Sequence, residues 1–417
     1  MSQSLNTIDL NELSDLYKSK DFENLEKKAN ILISKHPEIS NLYNILGIAQ
    51  SELKKYIDAL ETFETCIKLN ANHVDAYNNK AKTYKKIKDF KSSIKLYKKA
   101  IEINPNYHLT FSNLGDLYYE MSEIENSLKN YRKSIDLKPD RIDGISNYLF
   151  TINYSEKADR NFFFNETVRL NSYFKKTKNN NLISFLYEKQ TEKLNIGFVS
   201  ADFRHHPVGY FLYDTLKELK NKNLNLIAYF NDIRGEDDLT SDFKPFFKKW
   251  NEVSNLSDID LANKIRKEKI NILIDLAGHS YGNRLGAFAY KPAPVQLSWI
   301  GYLETTGLSE IDYIVADPHV VSKKNEDVYS EKIWRMPTVW NSLSKPNVEK
   351  IGELPALKNK YITFGSFNNI NKVNSKVFNT WSNILKAVSN SKIFFKYVNF
   401  DNPYFVELIK KKFLKYG

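Results

Sequence analysis

The sequence predicts an α-solenoid of short helical repeats, then an α/β domain built on a doubly wound parallel sheet, then the start of a second such domain that is incomplete at Gly417. Three observations predict it. The first third of the chain aligns with itself at a fixed offset; after Glu192 the helical period gives way to short apolar runs alternating with helical stretches; and a new strand–helix–strand pattern opens at Tyr361. Too little sequence follows Tyr361 for a doubly wound domain, which takes about 100 residues or more.

Set against itself at an offset of 34, the sequence aligns Tyr43, Tyr77 and Phe111, then Gly47, Ala81 and Gly115, then Phe63, Tyr97 and Tyr131. Cys66, Ala100 and Ser134 fall in register, as do Leu69, Ile103 and Leu137, and Pro105 recurs at Pro139 and, one step back, at Ala71 and Pro37. This is the period of the tetratricopeptide helix pair, in which small residues sit where two helices cross closely and large aromatics fill the space opposite. Proline then stops the second helix. A degenerate first copy runs from about Asp9 through His36, with Leu13, Leu32 and Pro37 in register, and a further helix runs from Ile142 to Tyr154. These residues are core and do no chemistry. The array, 1–154, is expected to hold a protein or peptide in its concave groove.

From Ser155 to Glu192 a charged, aromatic-rich stretch without Gly or Pro reads as a helical linker. Leu194 to Val199 then reads as a buried strand, Tyr210 to Lys220 as a helix, Leu224 to Phe230 as a strand and Leu256 to Lys267 as a helix. Strands at Ile270 to Leu276, Val295 to Trp299 and Ile311 to Val315 continue a first Rossmann-like domain, 193–354. The second, 355–417, has strands at Tyr361 to Gly365 and Lys392 to Val398 around a helix from Ser375 to Lys386.

Composition narrows the function classes. The formal charge is +11, but it comes from nine arginines and 52 lysines spread over the whole length. Readers of phosphate and base edges lean on arginine forks, so the charge reads as solvated surface and no nucleic-acid partner is expected. Cys66 is the single cysteine, which rules out an intrachain disulfide and fits a reduced cytoplasm. No signal peptide and no apolar run of about 18 residues is visible, so no membrane association is expected.

In doubly wound sheets ligands sit beyond the carboxyl ends of the strands. There the sequence places Ser200-Ala201-Asp202-Phe203-Arg204-His205-His206-Pro207, then Ala277-Gly278-His279-Ser280, then Gly301-Tyr302-Leu303-Glu304-Thr305-Thr306-Gly307. Histidines, glycines and hydroxyls together suit a phosphorylated ligand held by backbone N–H groups and neutral donors.

These segments resemble the catalytic region of protein O-linked N-acetylglucosamine transferases and SPINDLY-type O-fucosyltransferases. The resemblance rests on Ile196 through Phe203 with His206-Pro207, Asp275 through His279, Arg284 through Gln296, Trp299 through Tyr302, Asp312-Tyr313, Tyr329 through Lys332, and Phe367-Asn368. It implies a GT-B glycosyltransferase of two Rossmann-like domains behind a repeat array. Such an enzyme moves a sugar, in this reading N-acetylglucosamine from UDP-N-acetylglucosamine, to Ser or Thr of proteins, with inversion and without metal or other cofactor. Protein cations and N–H groups must then stabilise the leaving diphosphate.

Carried over residue by residue, the resemblance makes His206 the active-site histidine of the His-Pro motif and Lys372 the lysine that pairs with the donor diphosphate. Read structurally, His206 is a helix cap and Lys372 a surface lysine. Asn369 stands where the family has a nucleotide-holding glutamine, with a shorter arm. Gly301, Thr305, Thr306 and Gly307 match the sugar and phosphate loop, although Leu303-Glu304 replaces the usual Pro-Gly pair, and Glu304 would repel a diphosphate unless it turns outward. Gly278 and His279 match a strand-end motif, and His279 either donates to a ligand or satisfies the sheet edge. Asp275 either orients a loop or serves as a general base; His319 reads as a loop residue.

No Asp-x-Asp pair or His/Cys cluster of ligand spacing is visible, so no metal is expected. The family's nucleotide-holding His-Thr-Thr-Gly-Met-Asp-type segment has no counterpart up to Gly417. This chain by itself is therefore expected to transfer sugar weakly or not at all. The competing reading is a non-catalytic, peptide-binding repeat scaffold.

Overall fold

The computed structural model describes residues 7–176, 193–232, 234–344, 350 and 352–417. The chain divides into two compact units, one formed by Met1–Lys138 with Leu354–Gly417 and the other by Pro139–Glu353.

The first unit opens with four helical hairpins: α1 (Thr7–Lys18) with α2 (Phe22–Lys35), α3 (Ser40–Glu52) with α4 (Tyr56–Leu69), α5 (Val74–Lys86) with α6 (Phe90–Ile103), and α7 (His108–Glu120) with α8 (Ile124–Leu137). The 34-residue period is a packing period. A Cβ on Gly47 would stand 2.7 Å from the Phe63 ring and one on Gly115 2.6 Å from the Tyr131 ring, while Ala81 takes the same place against Tyr97. The second helix of a pair is tied to the first by a hydroxyl, Ser93 donating to Ala81 O and Ser127 to Gly115 O, each at 2.8 Å. The hairpin turns repeat as well: Lys20, Lys54, Lys88 and Ser122 all adopt left-handed backbone, with φ of 59°, 64°, 62° and 58°.

The second unit begins with α9 (Ile142–Ile152) and α10 (Arg160–Lys176). The remainder of the expected linker, 177–192, lies outside the described residues. There follow β1 (Leu194–Ser200), α11 (Pro207–Lys220), β2 (Leu224–Phe230), α12 (Asp238–Phe243), β3 (Lys249–Glu252), α13 (Asp258–Lys267), β4 (Ile272–Asp275), α14 (Leu285–Phe288), β5 (Val295–Ser298), β6 (Tyr313–Ala316) and β7 (Lys332–Arg335). The strands form one sheet in the order β3-β2-β1-β4-β5-β6-β7, every neighbouring pair parallel, with Phe198 of β1 opposite Ala228 of β2 and Ile274 of β4.

Five consecutive residues are buried at the ends of β1 and β2, as both faces of a parallel sheet are covered. Sequence reading missed β3 and β7 for one reason: both are four-residue edge strands carrying charge at their ends, Lys249 and Glu252 in one, Lys332 and Arg335 in the other. Charge on a short edge strand guards against stray pairing and erases the apolar run that marks a strand. Strand order reverses between β1 and β4, which makes the carboxyl ends of those two strands the natural crevice.

The chain returns to the first unit with α15 (Pro355–Asn359), β8 (Thr363–Ser366), α16 (Ser375–Ala387), β9 (Lys392–Phe395) and α17 (Pro403–Leu414). The strands β8 and β9 pair in parallel, with α16 as the crossover, over a core of Phe378, Phe405 and Ile409. Helix α17 was not anticipated, although Asn402 capping Tyr404 N at 2.9 Å and Pro403 in its first turn form a standard start signal.

Candidate active site

The corner from β1 into α11 is built around its cap. His206 has extended backbone, and its Nδ1 accepts the N–H of Val208 at 3.3 Å, with Pro207 following as the first helical residue, so α11 starts three residues before the expected Tyr210. Gly209 allows the tight turn, because a Cβ there would lie 2.2 Å from Arg204 O. Asp202, buried, faces His206 Nδ1 at 3.5 Å and accepts from Arg234 at 3.1 Å. Arg234 also pairs with Asp232 at 2.7 Å, and Arg204 reaches the other oxygen of Asp232 at 2.5 Å.

Burial holds the pKa of His206 below its ordinary value; Arg234 and Arg204 act the same way, and Asp202 and Asp232 act against it. His206 is thus neutral near pH 7. With Nδ1 accepting from the backbone, the proton of the neutral ring sits on Nε2, on a partly exposed side chain. His205 bonds through Nε2 to Asp238 at 2.7 Å and through Nδ1 to the Tyr210 hydroxyl at 3.1 Å.

At the end of β4, Asp275 is fully buried and accepts from Ala277 N at 3.1 Å, Gly278 N at 2.7 Å and the Ser298 hydroxyl at 3.2 Å. Its carboxylate orients the loop, and burial raises its pKa to about 6. Gly278, at φ 54°, lets Tyr302 lie against the loop, since a Cβ would come within 2.4 Å of it. His279 is buried with both ring nitrogens engaged, Nδ1 with Ser146 of α9 at 3.1 Å and Nε2 with Thr306 O at 3.0 Å, and burial lowers its pKa to about 4.

The loop after β5 begins with strain. Ile300, a β-branched residue, has φ 69°, and Gly301 N bonds back to Trp299 O at 2.9 Å, a three-residue turn that few side chains tolerate. A Cβ on Gly301 would lie 1.9 Å from Leu276 O. Thr305 and Thr306 are buried and directed at Glu331, which accepts from the Thr305 hydroxyl at 2.6 Å, from Thr306 N at 2.7 Å and from the Thr306 hydroxyl. Asn171 of α10 donates to Thr306 O, and Gly307, at φ 71°, packs on Thr167 and Asn171. Glu304 is half-buried; burial raises its pKa and the Arg160 charge opposes the shift.

In the other unit, Asn369 opens a short 3-10 turn, Ile370–Lys372, by accepting Asn371 N at 3.0 Å on its side chain; its amide nitrogen lies 3.5 Å from the Tyr119 hydroxyl. Lys372 is exposed.

The geometry therefore brings His206, Gly278, His279 and the 301–307 loop to the strand ends of one sheet, and places Asn369 with Lys372 on a turn of the other unit. Sequence reasoning passed over Asp232 and Arg234, which follow β2 and would have surfaced had the strand-end rule been applied to that strand too. It also passed over Glu331 as a loop organiser. Among the described residues no group of three or more His, Cys, Asp or Glu is placed to hold a metal ion, and no helix is long and apolar enough to cross a membrane.

Residues 174–342 match glycosyl transferase family 41, and 40–73, 74–107 and 110–141 match tetratricopeptide repeats. The chain thus carries tetratricopeptide repeats ahead of a segment that matches family 41 glycosyltransferases. Over 226 residues it is 35% identical to a probable UDP-N-acetylglucosamine–peptide N-acetylglucosaminyltransferase SPINDLY of Oryza sativa subsp. japonica, an overlap covering 53% of this chain and 24% of that protein. A similar protein of Arabidopsis thaliana, SEC, is 33% identical over 215 residues, 48% of this chain and 22% of the relative. This chain spans about a quarter of the length of the curated relatives it matches. A solved structure, a Thermobaculum terrenum O-GlcNAc transferase mutant, superposes with a TM-score of 0.79 over 91% of this chain and 73% of that one, at 21% identity, a likeness of fold. The family 41 match contains the His206 corner and the 301–307 loop and ends before Asn369 and Lys372.

Proposed function

We propose that this chain is part of a protein O-glycosyltransferase that moves N-acetylglucosamine from UDP-N-acetylglucosamine to Ser or Thr of an acceptor held in the repeat groove. The observation that carries the reading is the His206 corner: a neutral imidazole, locked as a helix cap, offering its Nε2–H at the switch point of a family 41 sheet. A fixed neutral donor stabilises charge developing on a ligand oxygen without having to reorganise. Lys372 supplies a cation for the leaving diphosphate, and Glu331, Asp275 and His279 hold the loops in shape. Inversion requires the acceptor oxygen to attack the anomeric carbon from the face opposite the departing diphosphate. No metal has a part in this reading.

The test is transfer by the full-length gene product to a protein acceptor, with UDP-N-acetylglucosamine and GDP-fucose as alternative donors. Replacing His206 or Lys372 with Ala is expected to lower turnover about 100-fold or more, with thermal unfolding unchanged for Lys372→Ala and lowered for His206→Ala only by the loss of a helix cap, about 1 kcal/mol. Undiminished turnover in both variants sinks the site assignment. Absence of transfer from either donor, with peptide binding to the array retained, favours the scaffold reading.

A further inference from the structure

At two successive hairpin turns of the array, main-chain carbonyls of the turn and of the helix end before it accept hydrogen bonds from the C-terminal block of the same unit. Lys88 pairs with Asp401 at 2.5 and 2.7 Å, and Asn402 Nδ2 donates to Lys88 O at 2.9 Å. Around the next turn Asn371 Nδ2 donates to Tyr119 O at 3.2 Å, Asn399 Nδ2 to Glu120 O at 3.2 Å, and Lys412 Nζ to Ser122 O at 3.1 Å.

Asn371, Asn399 and Asn402 are each more than nine-tenths buried. An amide nitrogen on a main-chain carbonyl fixes which way each side chain faces, because the flipped amide would set two oxygens together. Among the described residues these hydrogen bonds fall at this pair of turns, whose residues Lys88 and Ser122 are the left-handed ones that reverse the chain.

We infer that the turns at Lys88 and Ser122 form a docking face for the chain's own 369–412 segment, and that Asn371 is a positioning residue for Lys372. Asn371 sits inside the three-residue turn that ends at Lys372; its side chain goes into the array while its neighbour stays exposed. The array thereby sets where the lysine stands, and a polypeptide that reshapes the array on binding changes the affinity for a nucleotide diphosphate. By linkage the diphosphate changes the affinity for the polypeptide equally. The positioning half rests on the proposed role of Lys372; the docking half does not.

The experiment compares the full-length gene product with its Asn371→Ala, Asn399→Ala, Asn402→Ala triple variant, by hydrogen exchange and by titration with UDP and GDP. Exchange across 363–405 is expected to quicken at least tenfold while α1 to α4 keep their protection, and affinity for whichever nucleotide binds is expected to fall several-fold. Should the triple variant unfold, Lys88→Glu serves instead: it sets two like charges together on an exposed site, and combining it with Asp401→Lys should restore the original exchange. Unchanged exchange across 363–405 in the triple variant overturns the docking face. Faster exchange with unchanged affinity, in a protein whose Lys372→Ala variant binds less well, overturns the positioning role. If Lys372→Ala itself binds unchanged, the donor-site reading fails while the exchange result decides the docking face.

Discussion

The repeat array and the parallel sheet solve the same problem, burying apolar surface without orphaning polar groups, in opposite ways. In the array each solution is written several times: Gly47 with Phe63, Ala81 with Tyr97 and Gly115 with Tyr131 are versions of one contact, and the copies show which changes it tolerates. In the sheet unit each solution is written once. Arg284 ties Asp258, Asn231, Val253 O and Leu256 O together, and one carboxylate, Glu331, takes the hydroxyls of both Thr305 and Thr306. Redundancy makes the array legible and forgiving; the sheet unit has no second copy to consult.

Two glycine substitutions set the contrast most sharply. Gly301→Ala drives a Cβ into the main-chain oxygen of Leu276, which cannot step aside, and is expected to cost about 3 kcal/mol or more. Gly47→Ala meets a ring, and Ala81 shows that the site has an alanine solution, so its cost is expected to stay within about 1 kcal/mol, offset by better helix propensity. Urea unfolding of both variants measures the difference, and equal costs would break the comparison.

The next effect depends on pH. Unfolded His279 takes up a proton near its ordinary value, whereas folded His279 waits until about pH 4, so its contribution to stability is present above about pH 6.5 and is lost as pH falls toward 4. Asp275 runs the other way: raised to about 6, it contributes stability below the ordinary aspartate value and loses it as pH rises through 6. The gap in unfolding free energy between wild type and His279→Gln is therefore expected to change by about 3 kcal/mol from pH 7 to pH 4, wild type losing relative stability in acid. A pH-independent gap would show that the histidine is not buried as described. The smallest effect belongs to the array: Lys54→Gly relieves a left-handed lysine and is expected to raise stability by up to about 1 kcal/mol, seen as a small rise in unfolding temperature.

The same contrast explains what the sequence disclosed. The 34-residue offset located the hairpins because a periodic core leaves a periodic signal. The central strands showed as unbroken apolar runs; the edge strands at Lys249 and Lys332 did not, since half-exposed, charged tetrapeptides carry no such run. Around the candidate site, glycines and histidines at strand ends marked the right corners but not their bonding. That Thr305 and Thr306 direct their hydroxyls at Glu331, or that His279 reaches Ser146, depends on partners 25 and 133 residues away, which local pattern does not reveal. His206 as a cap was legible as the alternative to its active-site reading, although the helix was expected to start only at Tyr210.

The left-handed turns at Lys20, Lys54, Lys88 and Ser122 recur at one fixed interval, and the C-terminal block is fastened to the last two. Gain or loss of a whole 34-residue copy ahead of Lys88 would leave that fastening untouched. Over evolutionary time the array can therefore drift in length by whole units while the junction with the C-terminal block keeps its register.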